Sequence, residues 1–413
     1  MANEFYTPSG TPAQNADGNS SDMRGEFTKL EQAFDKFPDL LGHANEEVVV
    51  NPTATGFTTK VAAVPVAPDS SFRNKLINGD FDISQRGITS NSTVGGISYL
   101  ADKWCFVVAG GIAATRSIQP FQPSSIYAIH PVEGGPRYYH RLIIGSPAVL
   151  GSPTALAKLV QPIEGAETLQ GKTVTASFWL KADAVKQISV NLTQVFGGAT
   201  VSDVALTATK FTLSTTWTKY TATFNLPSVV GKTFAPNLNY LAFAFWLSAG
   251  SSYNTVTNSL GLQTGTFDIA RVQLEEGSLS SNFETRPLAT ELALCQRTYE
   301  KSYNLDVPPG TLTSNGRTLD VTYGTSTGDH YFSQKFNAIK RIAPSVAVYR
   351  TSAANSINQL DVYVGVPYVG LATVAYEQIG QSAFSARWFN ANPNAMSAIS
   401  YHYTADADYQ GLY

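Results

Sequence analysis

Two tryptophans stand where the solvent face of a β-strand ordinarily carries threonine or lysine. In Thr173–Ala182, Val174, Ala176, Phe178 and Leu180 alternate with Thr175, Ser177, Trp179 and Lys181, so Trp179 points away from the apolar face. In Tyr240–Leu247, Leu241, Phe243, Phe245 and Leu247 take one face and Trp246 the other. An indole can stack on the apolar side of a pyranose while amides take its hydroxyls. Asn191 and Gln194, in the strand after Trp179, supply such amides. Trp179, Trp246, Asn191 and Gln194 are therefore candidate sugar-binding residues. The competing reading covers both rings with the second sheet or a neighbouring subunit, since large outward aromatics usually mark an interface. Of the other tryptophans, Trp104 reads as core, Trp217 as a turn residue, and Trp388 as equally able to serve at a distal tip.

Other chemistry is weakly signalled. His43, His130, His140, His330 and His402 are scattered without metal-ligand spacing. Gly324–Gly328 matches G-x-S-x-G by letters, but strand-like text follows it, where a nucleophile elbow needs a helix. Glu275 and Glu276 are adjacent on a strand, so they point to opposite faces and cannot flank one glycosidic bond. Glu164 and Glu167 sit in turn text, where solvated charge is the default. No enzyme is expected.

The elements that must hold these residues are mostly strands. The 413 residues leave room for two to four domains. Charged residues make up 14%, well below the roughly 25% of an average globular chain. With a net charge of −3, bulk attraction to nucleic acid or to an anionic membrane is not expected. No uncharged apolar run is long enough for a membrane span, and Met1–Gly10 lacks the basic and apolar regions of a secretory leader. Cys105 and Cys295 are too few and too far apart for a disulfide framework.

The first 47 residues carry nine acids against three bases, unlike the rest. Ser20 or Ser21 can cap a helix whose apolar positions are Met23, Phe27, Leu30, Phe34 and Phe37, with Pro38 as its stop. The spacing is that of a two-heptad a/d seam, too short to stand alone in water. It predicts a helix that packs on its own domain, in a bundle of identical chains, or into a larger assembly. Residues 42–71 read as a linker with one or two strands. Residues 72–288 repeat period-two alternation: Ile188–Leu192 and Tyr220–Leu226 follow the pattern already described, and Phe267–Leu274 begins with Phe267 and Ile269 on one side. They predict a β-sandwich of jelly-roll type. After a short helix near Ala289–Gln296, residues 289–413 read as a smaller β domain with strands in Thr311–Tyr323, Tyr331–Phe336, Pro344–Arg350, Gln359–Val366 and Met396–Tyr403. The fold class is mainly β, with a short N-terminal helix.

Three stretches carry a resemblance. They are Leu76-Ile77-Asn78-Gly79-Asp80-Phe81-Asp82-Ile83-Ser84-Gln85-Arg86-Gly87 with Tyr99–Trp104; Phe267–Gly277 leading to Asn282-Phe283-Glu284-Thr285-Arg286-Pro287; and Glu291–Lys301. The set resembles tailed-bacteriophage virion proteins, in particular tail fibres and receptor-binding appendages with a carbohydrate-binding-like jelly-roll module. The helix text from Ser20 to Pro38 and the ending Tyr401–Ala407 resemble them too. The resemblance implies a non-enzymatic structural protein on the outside of a virion, made in the host cytoplasm and anchored through residues 1–41. It also implies a homotrimer, other virion proteins as partners at the N-terminus, and a host-surface polysaccharide as a possible ligand. Related jelly rolls hold a structural Ca²⁺, and the matching positions are Asp82 and Asp268. Two rival readings are a capsid or collar decoration (head-fibre) protein and a glycan depolymerase.

Overall fold

The computed structural model describes residues 46–50, 57–61, 72–92, 96–121, 130–198, 201–322, 327–364, 368–390 and 397–409. The chain divides into two compact units, Met1–Ser70 and Ser71–Tyr413. In the first, β1 (Glu46–Val50) and β2 (Phe57–Val61) pair antiparallel, with Val48 opposite Thr59. The expected helix with Met23, Phe27, Leu30, Phe34 and Phe37 lies outside the described residues.

The second unit opens with a sandwich of two antiparallel sheets; strands are numbered in chain order. The first sheet runs β13 (Thr218–Asn225), β9 (Thr173–Ala182), β15 (Gly265–Glu276), β7 (Tyr138–Ile144), β6 (Ala114–Pro120) and β3 (Thr89–Ser92). The second runs β11 (Val204–Ala205), β10 (Lys186–Val195), β14 (Tyr240–Ala249), β8 (Leu156–Glu164), β5 (Cys105–Ala109) and β4 (Gly96–Tyr99), with β12 (Thr209–Leu213) also on β10. From β7 to β10 each strand crosses to the opposite sheet, and β13, β14 and β15 do so again. This wrapping is that of a jelly roll. Phe178, Leu180, Phe243, Phe245, Phe267 and Leu274 are fully buried between the layers. Phe178 meets Phe245 edge-on at 5.0 Å.

The Asn78-Gly79-Asp80-Phe81 motif is a backbone knot at the mouth of this core. Asn78 and Phe81 take positive φ, 58° and 57°. The Asn78 amide donates to Ile83 and Asp102 carbonyls, and its Oδ1 accepts from Ile83 N–H. The indole of Trp104 donates to Asn78 O at 2.9 Å, so Trp104 is core, as its sequence setting suggests.

The remaining strands form a third sheet: β16 (Tyr299–Lys301), β23 (Ser397–Asp406), β20 (Gln359–Val364), β21 (Tyr368–Ile379), β22 (Ala383–Asn390) and β18 (Gly328–Lys335), with β17 (Thr318–Thr322) and β19 (Ser345–Tyr349) also on β23. The sheet curls, bringing Thr318 Oγ1 of β17 within 3.2 Å of Gln334 in β18. Trp388 lies inside it at 2% exposure beside Phe384 and Val374, so it is a core residue and not one for a tip. The sheet is fastened to the sandwich by Arg86, which bonds Asp406 and Asp408, and by Arg297, which grips Glu164 through two 2.7 Å bonds.

Candidate functional site

The outer faces of the two sandwich sheets are unlike. On the β14 sheet a roof covers the strands. The segment from Ser251 to Leu260 lays Tyr253 against Trp246 at 5.4 Å, and Tyr409 packs on Tyr240 at 4.8 Å. Trp246 is 5% exposed and its indole N–H donates to Asn191 Oδ1 at 3.0 Å. The Asn191 amide donates onward to Leu206 O, and buried Gln194 donates to Pro227 O. Trp246 and Asn191 are thus a bonded interior pair and Gln194 a separate buried amide, which corrects their reading as sugar-facing groups. An outward indole in a strand finds cover when the next loop folds back, and alternation alone does not register that loop.

On the β9 sheet the face is partly open. Trp179 is half-buried there, with fully buried Phe178 and Leu180 pointing the other way. Lys219 of β13 and Ala270 of β15 are its register neighbours. A pocket of about 180 Å³ beside the ring is lined by Trp179, Ser177, Lys219, Glu133, Arg271 and Phe283, among others. Arg271 reaches it through a β-bulge: β15 carries one extra residue between Ala270 and Gln273, and Arg271 has φ 49°. Its guanidinium donates to Gly134 O at 2.8 Å, lies 4.7 Å over the Phe283 ring and comes within 3.4 Å of Asp80. Burial is the main influence on Asp80 and, against the pull of Arg271, pushes its carboxyl up to about 7.

One residue pair along, a second row continues across the strands. Lys181 is opposite Asp268, Asp268 opposite Arg141, and Arg141 opposite Ser117. Arg141 grips Asp268 with two 2.8 Å bonds, and these raise the guanidinium's pKa. Lys181 stands 3.7 Å from the same carboxylate and 5.8 Å from the centre of the Trp217 ring. Trp217 belongs to an aromatic group with Tyr139 at 5.4 Å and Phe121 at 5.3 Å. Sequence reasoning missed Trp217 and Tyr139. Extending the alternation of β13 backwards from Lys219 places Trp217 on the same face and is the signal that could have found it.

The structure therefore separates the two candidate tryptophans onto opposite sheets and supplies Trp179 with other partners. Asp82 and Asp268 do not make a cation site. Both oxygens of Asp268 are occupied by Arg141, and Asp82 is paired with Arg137 at 3.2 Å. Among the described residues no group of three or more His, Cys, Asp or Glu is disposed to hold a metal. This donor set does not fit Ca²⁺, which takes six to eight oxygens. Glu275 is fully buried and bonded to Ser281, Glu276 is paired with Lys172, and Glu164 with Arg297, so these three carboxylates are engaged structurally, while Glu167 is exposed.

Residues 167–239 match a family model described as "Carbohydrate binding domain". The match spans β9 to β13 and includes Trp179, Trp217 and Lys219. Among solved structures, a family 11 carbohydrate-binding module from Clostridium thermocellum, in complex with a β-1,3-1,4-mixed-linked tetrasaccharide, is 13% identical. The alignment covers 46% of this chain and 100% of that one, with a TM-score of 0.28. A family 61 module in complex with β-1,4-galactotriose is 12% identical, over 50% of this chain and 99% of that one, TM-score 0.26. The enzymatically active domain of tailspike protein 4 from bacteriophage CBA120 is 13% identical, over 50% of this chain and 22% of that one, TM-score 0.26. No curated protein matches the chain.

Proposed function

We propose that this chain is a glycan-binding structural protein of a bacteriophage virion, with the open face around Trp179 as its binding surface. The observation that carries the glycan reading is the face itself. Trp179 sits on a rigid strand inside the segment matching the carbohydrate-binding model, beside a pocket edged by Lys219, Glu133 and Arg271. A ring held by strands on both sides loses little freedom when a sugar stacks on it. The virion reading rests on the motifs of residues 76–87, 267–287 and 291–301, and on the acidic first 47 residues as an attachment segment. In this reading the protein is an exterior tail fibre or receptor-binding appendage, assembled as a trimer, with weak sites repeated on several chains gaining avidity. The test is affinity electrophoresis of the full chain through a panel of soluble polysaccharides. Retardation by at least one, lost in Trp179→Ala at unchanged melting temperature, supports the site. Retardation that persists in Trp179→Ala removes it. Purified protein that blocks host adsorption supports the appendage; protein that coats capsids and leaves adsorption untouched favours a decoration protein instead.

A further inference from the structure

The charge on the open face suggests which glycans it takes. Besides Arg271, which is 10% exposed and turned to Asp80, three cations line the part that includes Trp179 and Trp217: Lys219, Lys181 and Arg141, each about one-third exposed at 32%. Two carboxylates oppose them. Asp268 is only 2% exposed and lies beneath Arg141 and Lys181, so an approaching ligand meets the cationic heads and not the acid. Glu133 is exposed but is paired with Lys219 at 3.3 Å. Since Arg141 already occupies both oxygens of Asp268 and Lys181 stands farther off at 3.7 Å, Lys181 is the surplus charge of the row. It lies 5.8 Å from the Trp217 ring, near enough for one sugar to stack on the indole while its substituent reaches the ammonium.

We infer that the face selects acidic polysaccharide, a chain of uronic acid residues whose carboxylate pairs with Lys181 while its ring stacks on the tryptophans. The inference rests on the glycan-binding reading above. A neutral sugar offers hydroxyls to the same groups but leaves in place the one-charge excess of the row, in which Arg141 and Lys181 share Asp268. A carboxylate compensates it with a charge-assisted hydrogen bond, a difference of about tenfold in affinity or more.

The experiment compares the full chain on polygalacturonate and on its fully methyl-esterified form by isothermal titration, from 50 to 500 mM NaCl. The expected result is tighter binding to the acid by about tenfold at low salt, weakening as salt rises. In Lys181→Gln the preference should shrink to within about threefold while binding to the ester is kept. Lys181→Gln leaves the Arg141–Asp268 pair in place, so folding is not at stake, and the salt series on the unaltered protein is a second readout. Equal affinity for the two polymers, or binding indifferent to salt, overturns the inference and leaves the glycan site standing. Binding of the ester alone does the same, and no binding of either polymer overturns it. Binding of the acid that survives Trp179→Ala and Trp217→Ala overturns the site as well.

Discussion

The guanidinium of Arg86 lies over the ring of Tyr299, 3.5 Å from its centre, and bonds Asp408 at 2.6 Å and Asp406 at 2.9 Å. Arg86 belongs to the long motif before the sandwich, whereas Tyr299, Asp406 and Asp408 belong to the third sheet and its exit. A neighbouring residue, Gln85, reinforces the seam by donating to Tyr299 O. Burial alone would lower the pKa of Arg86, but Asp408 and Asp406 more than reverse this and raise it. The side chain is therefore a fixed cation between two bodies of β-structure.

Removing it should separate their stabilities. Arg86→Ala strands the carboxylate of Asp408, which is 3% exposed, and should cost about 3 kcal/mol. The expected signature in urea is a transition that splits in two, with the third sheet melting first. A single transition at the unaltered midpoint would contradict the role given to Arg86.

Gly79 is where the motif tolerates no side chain. A methyl there would run into the carbonyl oxygen of Val272 and come within 3.3 Å of the Phe283 ring. The backbone bond from Val272 N–H to Gly79 O, 3.0 Å, fixes that approach. Gly79→Ala should destabilise the protein by about 1–3 kcal/mol. A calorimetric melting temperature equal to that of the parent would show that the crossing can relax.

His140 makes stability depend on acid. It is fully buried, edge-on to Phe81 at 5.2 Å, and burial together with the charge of Arg116 pushes it from 6.5 down to about 3. The unfolded chain takes up this proton near pH 6.5 and the folded chain only near 3. The stability is complete above pH 6.5 and declines as pH falls towards 3, by up to about 1.4 kcal/mol per pH unit. Asp80 and Asp102, raised by burial to about 7 and about 6, work in the opposite sense, so the comparison must be with a variant. His140→Phe keeps the ring contact and removes the proton. Its urea midpoint should fall less steeply than the parent's between pH 6 and 4, and parallel curves would exclude the assignment.

The proposed association through residues 23–37 is tested by Phe34→Asp, which places a charge in the apolar seam. Light scattering should report the mass of one chain where the parent gives a multiple of it. The same mass for both would end the proposal.

Much of the fold was legible because alternation reports burial directly. Thr173–Ala182 reads as a strand from its residues and is one with the same bounds. The start of β15 also read correctly, with Phe267 and Ile269 inward, but the inserted residue before Gln273 then turns Val272 and Leu274 inward instead. No periodicity rule carries across a bulge. β21 escaped for a related reason, a register shift between Tyr376 and Gln378. At the site, local text placed Trp179 outward, whereas the fate of Trp246 depended on Tyr253 and Leu260, which lie outside its strand. Asp82 and Asp268 looked like free oxygen donors because their arginines, Arg137 and Arg141, lie 55 and 127 positions away from them in the chain.

The bulge in β15 also sets what length change this molecule can absorb. Ala270 and Gln273 both belong to the outer face only because one residue is inserted between them. Deleting Arg271 would remove the inserted residue and leave plain alternation, with Val272 and Leu274 still inward and Gln273 and Glu275 still outward, while the pocket beside Trp179 loses its guanidinium. A single-codon loss at this point should therefore keep the core side chains inward and alter the pocket instead.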